Sequence, residues 1–290
     1  MDRIRLGTRG SPLALKQTEI VKRELAKAGV KVMETIIIST TGDQILDKPL
    51  YDIGGKGLFA KELQQALLEG KIDVAVHSLK DMEWHFPAGL QLTAVLERDD
   101  PRDCFLSLTH PHYDALPPNA LIGTCAPRRI AQLRYRLPTV VTIPLRGNVQ
   151  TRLQKMKEMG LDGIILAAAG LKRLGLESQI KAYFETNLMV PAAGQGVIAL
   201  ESRVDDHNIN AILQQINHAA TWSCITAEKA VLAHIKGTCH TPIGVYAYPL
   251  NNGRLALQSV LENEGRIRTA LAEGDDPYEL ATQVARSLLA

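Results

Sequence analysis

In the segment "DVAVHSLKDMEW" an apolar run ends on an ammonium and a carboxylate, Lys80 and Asp81. A buried strand over Asp73 to His77 would stop near Ser78 and deliver both groups at its C-terminal edge, where ligands of open α/β sheets bind. A carboxylate there can move a proton or stabilise a developing cation. An adjacent Lys and Asp is equally the makeup of an ordinary surface pair.

A second feature is a local charge imbalance. From Ala115 through Lys157 there is no Asp or Glu, yet eight basic residues fall there. Arg134, Arg136, Lys155 and Lys157 fit a solvated basic face. Arg128, Arg129, Arg146 and Arg152 instead stand where helices begin or in the turns before them. Free N–H groups and the helix dipole favour anions at such places, and the planar guanidinium can grip both oxygens of a carboxylate or phosphate. "RLGTRGSPLAL" repeats the arrangement, with Arg9 and Ser11 between the first strand and first helix. Helix capping accounts for Ser11 but not for Arg9. Last, "KGTCHTPIG" sets Cys239 between Gly237 and Pro242, where neither helix nor strand is expected. That thiol is either incidental or carries something.

The elements that must position these groups are read from periodicity. Strands are expected at "RIRLGT", "VMETIIIST", "IDVAVHS" and "LQLTAVL", separated by helices through "SPLALKQTEIVKRELAKAG" and "LFAKELQQALLEG". Short apolar runs alternating with amphipathic helices imply β-α-β units and a mainly parallel sheet. After the joint "ERDDPRD" the pattern restarts with "ALIGT", a helix from Pro127, "TVVTIPL", a helix from Asn148, and "GIILAA". "LMVPAAGQGVIALES" reads as a loop leading to a helical stretch from about Asp206 to Ile235. Three strands, "GVYAYPL", "GRLALQSVL" and "GRIRTALA", and a helix from Pro277 then form a small α+β domain.

Composition narrows the function. The 290-residue chain has a net charge of +2 and 4% aromatic residues, which gives no general polyanion-binding character. Nucleic acid is not expected, because only Tyr135 interrupts the basic stretch and single-strand readers need stacking aromatics. No Walker or G-x-G-x-x-G spacing supports a nucleotide, and the eight histidines form no H-E-x-x-H, so no metal site is expected. No apolar run approaches a membrane span and no leader pattern opens the chain, so a cytoplasmic protein with four free thiols is expected.

These residues together resemble the porphobilinogen deaminase (hydroxymethylbilane synthase) family over essentially the whole chain. The matching stretches are "RLGTRGSPLAL", "GGKGLFAKEL", "AVHSLKD", "ERDDPRD", "RRIAQL", "LRGNVQTRL", "AAAGLKRLGL", "PAAGQG" and "CHTPIG". The resemblance implies a transferase of tetrapyrrole and haem biosynthesis. It joins four porphobilinogens head to tail, with loss of ammonia, onto a covalent dipyrromethane primer, and releases hydroxymethylbilane by hydrolysis. Cys239 matches the cysteine that holds the primer by a thioether, and Asp81, with Lys80, matches the catalytic pair. Further cofactor contacts fall by resemblance to Thr124, Arg128, Arg129 and Arg146. Substrate contacts fall to Arg9, Ser11, Phe59, Arg152, Arg173 and Gln195, with Arg146 shared.

The implied fold is α/β, with two doubly wound, periplasmic-binding-protein-like domains and a small α+β C-terminal domain with a three-stranded antiparallel sheet. Residues 1–96 and 197–216 would form domain 1, on the Asp81 side of a cleft. Residues 100–193 would form the arginine-rich domain 2, and 219–290 the cysteine-bearing domain 3. The implied enzyme is a monomer without metal or membrane partner.

Departures are confined. "GTCAPRR" puts Cys125, Ala126 and Pro127 where the family has G-T-S-S-x-R-R, so anion binding there should lean on amides and arginines. Arg128, Arg129 and the helix N-terminus would make Cys125 a second reactive thiol. Gln150 replaces a glycine, Lys16 a common Trp, and Glu83 brings a second carboxylate near Asp81, able to raise its pKa if both were buried. Two alternatives stay open, an anion-binding module without catalysis and a same-fold protein that fails to assemble its cofactor.

Overall fold

The computed structural model describes residues 3–40, 60–238 and 240–290. Two compact units divide the chain, Met1–Arg98 with Val197–Trp222, and Asp99–Gly196 with Ser223–Ala290.

In the first unit, β1 (Ile4–Thr8) runs parallel to β2 (Met33–Ile37) and β3 (Val74–Ser78). The sheet is completed by β4 (Leu90–Val95) and β10 (Ile198–Arg203), in the order β2-β1-β3-β10-β4. β10 lies antiparallel to both of its neighbours. Helix α1 (Pro12–Lys27) starts as the sequence requires, with Pro12 at N1 and Ser11 Oγ accepting the Ala14 N–H. Its Val21 and Leu25 join Leu6, Val74, Val76 and Leu200 in a core on one sheet face. The alternate strand positions, with Ala75, pack beneath Leu63 and Leu67 of α2 (Lys61–Leu68). Helices on both faces explain why β3 is buried throughout.

The second unit repeats the plan. β6 (Leu121–Gly123) is parallel to β7 (Val141–Ile143) and β8 (Gly163–Ala167). β5 (Asp103–Leu106) lies antiparallel between β8 and β9 (Ala182–Phe184), giving β7-β6-β8-β5-β9. Helices α3 (Pro127–Arg136), α4 (Val149–Glu158) and α5 (Ala168–Arg173) connect it. Gly163 is required by packing: an added Cβ would fall within the Phe105 ring and 2.9 Å from the Leu106 carbonyl. Gly163→Ala is therefore expected to lower stability by about 1 to 3 kcal/mol, as overpacked cores do, read as a lower urea midpoint at unchanged slope.

The expected α/β class holds, but neither sheet is wholly parallel. The antiparallel strands β5 and β10 fall in segments read as a joint and a loop. Gly194 and Gly196 precede β10 and hid it. The single helical stretch expected from Asp206 to Ile235 is two helices, α6 (His207–Gln214) and α7 (Ala219–His234). Between them Asn217 Oδ1 accepts the Val95 N–H and the His218 N–H donates to the Val95 carbonyl, which ties the segment to β4 instead of a helix.

The C-terminal sheet is antiparallel in the order β11 (Ile243–Pro249), β12 (Leu255–Asn263), β13 (Arg266–Gly274). Glu264 and Gly265 both have positive φ, as a two-residue hairpin turn needs. α8 (Pro277–Leu289) covers the sheet, with Asp276 capping the Tyr278 and Glu279 N–H groups. Its Leu280, Val284 and Leu288 share an apolar core with Val231, Val245 and Leu257. Among the described residues no helix is long and apolar enough to cross a membrane.

Candidate active site

In the first unit β3 ends at Ser78 and passes into a single 3-10 turn, Leu79–Asp81. Leu79 is buried and anchors the turn, while Lys80 and Asp81 are exposed. Asp81 has no hydrogen-bond or ion-pair partner among the described residues. It lines a recess with about 450 Å³ of empty space, shared with Arg9, Ser11, Gln17, His77 and Ser78. The strand-end placement of Arg9, Ser11 and Asp81 is thus as the sequence implied. Ser11 Oγ accepts from α1, which leaves its O–H to donate elsewhere. Glu83 is half-buried and Asp81 exposed, so the premise of two jointly buried carboxylates fails.

In the second unit the arginines divide into two groups. Arg128 and Arg129, on the first turn of α3, are buried at 5% exposure. Arg128 Nη1 donates to Asp103 Oδ2 at 2.6 Å and to the Val190 carbonyl at 2.8 Å. Arg129 donates through Nε and Nη2 to Asp103 Oδ1, at 3.1 and 2.7 Å, and through Nη1 to the Ile165 carbonyl. Gln195, also buried, donates to Asp103 Oδ1 at 3.0 Å and to the Pro101 carbonyl at 2.7 Å. The expectation of eight uncompensated charges is therefore corrected. Asp103 lies outside the acid-free stretch and is carried to these arginines by the antiparallel β5.

Burial alone would raise the Asp103 pKa, but Arg128 and Arg129 outweigh it and hold the carboxyl well below the usual range. Burial lowers Arg128, with Asp103 opposing. One carboxylate against two guanidiniums leaves this cluster one positive charge in excess.

Arg146 differs, because its Nη1 is buried and has no hydrogen-bond partner. An arginine N–H buried without an acceptor is costly, and a ligand carboxylate would satisfy it. Arg152 Nε donates to the Gly147 carbonyl at 2.8 Å, holding the turn before α4. Gly147 has φ +123°, and a Cβ there would meet Thr151. Gln150 is exposed, so its side chain is accommodated without a clash. Arg173 is buried, donates to the Gly196 carbonyl at 2.5 Å and lies 3.4 Å from Asp99. Thr124 is buried, and its Oγ1 accepts the Ala126 N–H. Cys239 and Phe59, and the segment 43–51 considered as a cover, lie outside the described residues.

The three described cysteines are free thiols. Cys125 is exposed and its Sγ accepts the Leu145 N–H at 3.1 Å. The charge basis for a specially activated Cys125 is removed, since Arg128 and Arg129 are committed to Asp103. Burial, reinforced by Asp103, pushes the Cys104 thiol up to about 12. In native protein a maleimide should label Cys125 readily and leave Cys104 and Cys224 unlabelled until denaturant is added, as peptide mapping would show.

Asp103, Glu201 and Gln64 were not singled out from sequence. Glu201 is wholly buried, accepts from Gln64 Nε2 at 2.9 Å and lies 3.0 Å from His77 Nε2. The available signal was an acid inside an apolar run, "RDCFL" or "IALES", because a buried carboxylate demands partners.

Open sheets that present arginine, serine and an unpartnered carboxylate at strand ends and helix starts define an anion-binding α/β protein with a candidate catalytic acid. Residues 4–211 match the family model described as porphobilinogen deaminase, dipyromethane cofactor binding domain, and residues 222–290 match that of the porphobilinogen deaminase C-terminal domain. The chain is 44% identical to the porphobilinogen deaminase of Chromobacterium violaceum over 289 residues, 99% of this chain and 93% of the relative. It is 46% identical to that of Syntrophomonas wolfei over 297 aligned positions, 100% and 96% respectively. Among solved structures, a methionine binding protein is similar at 11% identity, with 74% of this chain and 90% of that chain covered and a TM-score of 0.48. The chain belongs to the porphobilinogen deaminase family.

Proposed function

We propose that this protein joins four porphobilinogen molecules head to tail, with loss of ammonia, and releases hydroxymethylbilane. The observation that carries the reading is the recess holding Asp81, exposed and unpartnered, beside Arg9 and Ser11. Loss of ammonia from porphobilinogen leaves a cationic azafulvene, and the Asp81 carboxylate at the ring nitrogen would stabilise that cation. Arg9, Ser11 and Lys80 bind the acetate and propionate groups of the incoming pyrrole.

The second unit fits a carboxylate-rich dipyrromethane. Support comes from the orphaned Arg146 Nη1 and from the excess positive charge of the Asp103 cluster. Arg146 and Arg152 would hold its carboxylates, with Thr124 at the same corner. Arg128, Arg129 and Gln195 shape that corner from within, and Arg173 acts through the loop at Gly196. Cys239 is the proposed attachment point, and Phe59 a proposed substrate contact. When bound, the dipyrromethane supplies the free pyrrole carbon on which the chain is built.

The organisation we favour is three domains, 1–96 with 197–216, 100–193, and 219–290. The separate apolar core of the C-terminal sheet supports the last. The proposed working form is a cytoplasmic monomer without nucleic-acid partners. Intact mass with mapping of the Cys239 peptide is the test. An excess of two linked pyrroles on Cys239, with porphobilinogen consumed and ammonia released, is expected. A bare Cys239 that stays bare after porphobilinogen is added would overturn the reading in favour of a same-fold protein without catalysis.

A further inference from the structure

His77 and Glu201 are a titratable pair that the mechanism above leaves unused. In the pairing of β3 with β10, Ala199 faces His77 and Glu201 faces Ala75. Period-two alternation puts His77 and Glu201 on one sheet face as diagonal neighbours, covered by Gln64 of α2. Glu201 is at 0% exposure, and its partners are an uncharged amide and an imidazole. A carboxylate buried without Arg or Lys is expensive, and a strand interior offers no packing reason for one. Glu201 Oε2 faces His77 Nε2, which fixes the proton there and orients the ring. His77 Nδ1 has no partner among the described residues and is not a sealed atom. His77 lines the recess that Asp81 lines.

We propose that His77, held by Glu201, is the base that removes the ring proton after each new carbon–carbon bond. The inference rests on the activity proposed above. Attack on the azafulvene leaves the attacked ring's carbon bearing both the new bond and its original hydrogen, with the positive charge on that ring. Breaking the C–H bond returns its electron pair to the ring and restores aromaticity. The proton goes to His77 Nδ1, the Glu201 carboxylate offsets the imidazolium charge, and the proton then passes to the released ammonia. Asp81 stays ionised throughout and is ready for the next cation. His77 is the catalytic residue of this step and Glu201 its positioning residue.

The test uses the cofactor-bearing enzyme and porphobilinogen deuterated at its free ring carbon. His77→Gln and Glu201→Gln are each expected to lower kcat by about 10²-fold, the scale of one general base, with KM little changed. Both should show a deuterium effect on kcat larger than that of the wild type. A fall in kcat without that isotope effect, or no fall, overturns the proposal. Nitrogen-15 NMR of the histidines without substrate is the second readout. His77 should carry its proton on Nε2 in the wild type and lose that preference in Glu201→Gln. A wild-type proton on Nδ1 overturns the proposal while leaving the activity standing, and it decides the matter even if a substitution unfolds the protein. A wild type that turns over no porphobilinogen overturns both.

Discussion

Asp81→Asn should lower kcat by about 10³-fold while KM stays close to wild type, because the amide keeps the shape of the side chain and removes the charge that the cation needs. The position makes the effect clean. Asp81 is exposed and unpartnered, so the substitution breaks no structural contact, and the thermal midpoint should hold. Asp81→Glu should recover part of the loss, since it restores the charge at a displaced point. Steady-state porphobilinogen consumption together with a melting curve checks all three outcomes. Equal losses in kcat and in stability would place Asp81 in the scaffold and remove it from the chemistry.

Asp103→Asn should instead be a stability mutant with a large effect. It leaves two buried guanidiniums facing a neutral amide, and breaking a buried pair this way costs about 3 to 5 kcal/mol. Urea unfolding at pH 7 measures it. The pH dependence follows from the direction of the shift. The folded carboxyl titrates below its unfolded value, so its contribution is fully present above about pH 4 and is lost as pH falls through the folded pKa. The wild type and Asp103→Asn should therefore differ most at neutral pH and converge as the medium becomes strongly acid. A gap that stayed constant into acid would show that the lost energy is packing.

Much of this architecture was legible in the chain, and the reasons differ by element. β3 and its turn could be read because an uninterrupted apolar run stops abruptly at Lys80 and Asp81. Helix starts at Ser11, Asn148 and Asp276 were legible because capping is local chemistry. β5 and β10 were not, because each is short, carries an acid and follows a segment dense in Pro, Gly or charge. Their antiparallel pairing depends on strands far away in sequence. The same gap explains the misreading of Arg128 and Arg129. Counting charges along "ALPPNALIGTCAPRR" cannot reveal a neutraliser that arrives from another strand. Arg9 and Asp81 behave as the sequence implied because nothing distant in the chain claims them.

The position of β10 also bears on how the protein is made. The first sheet has β10 between β3 and β4, and β4 pairs with no other strand in it. During synthesis, residues 1–98 leave the ribosome as a β2-β1-β3 fragment with β4 unpaired. They remain so until residues 198–203 emerge, by which time the β5 to β9 sheet has all its strands. The later-encoded sheet can thus close before the earlier one, an inversion of the N-terminal-first order common among multidomain chains. The exposed edge of β3 is a temporary hazard for nascent chains, one that the folded molecule no longer shows.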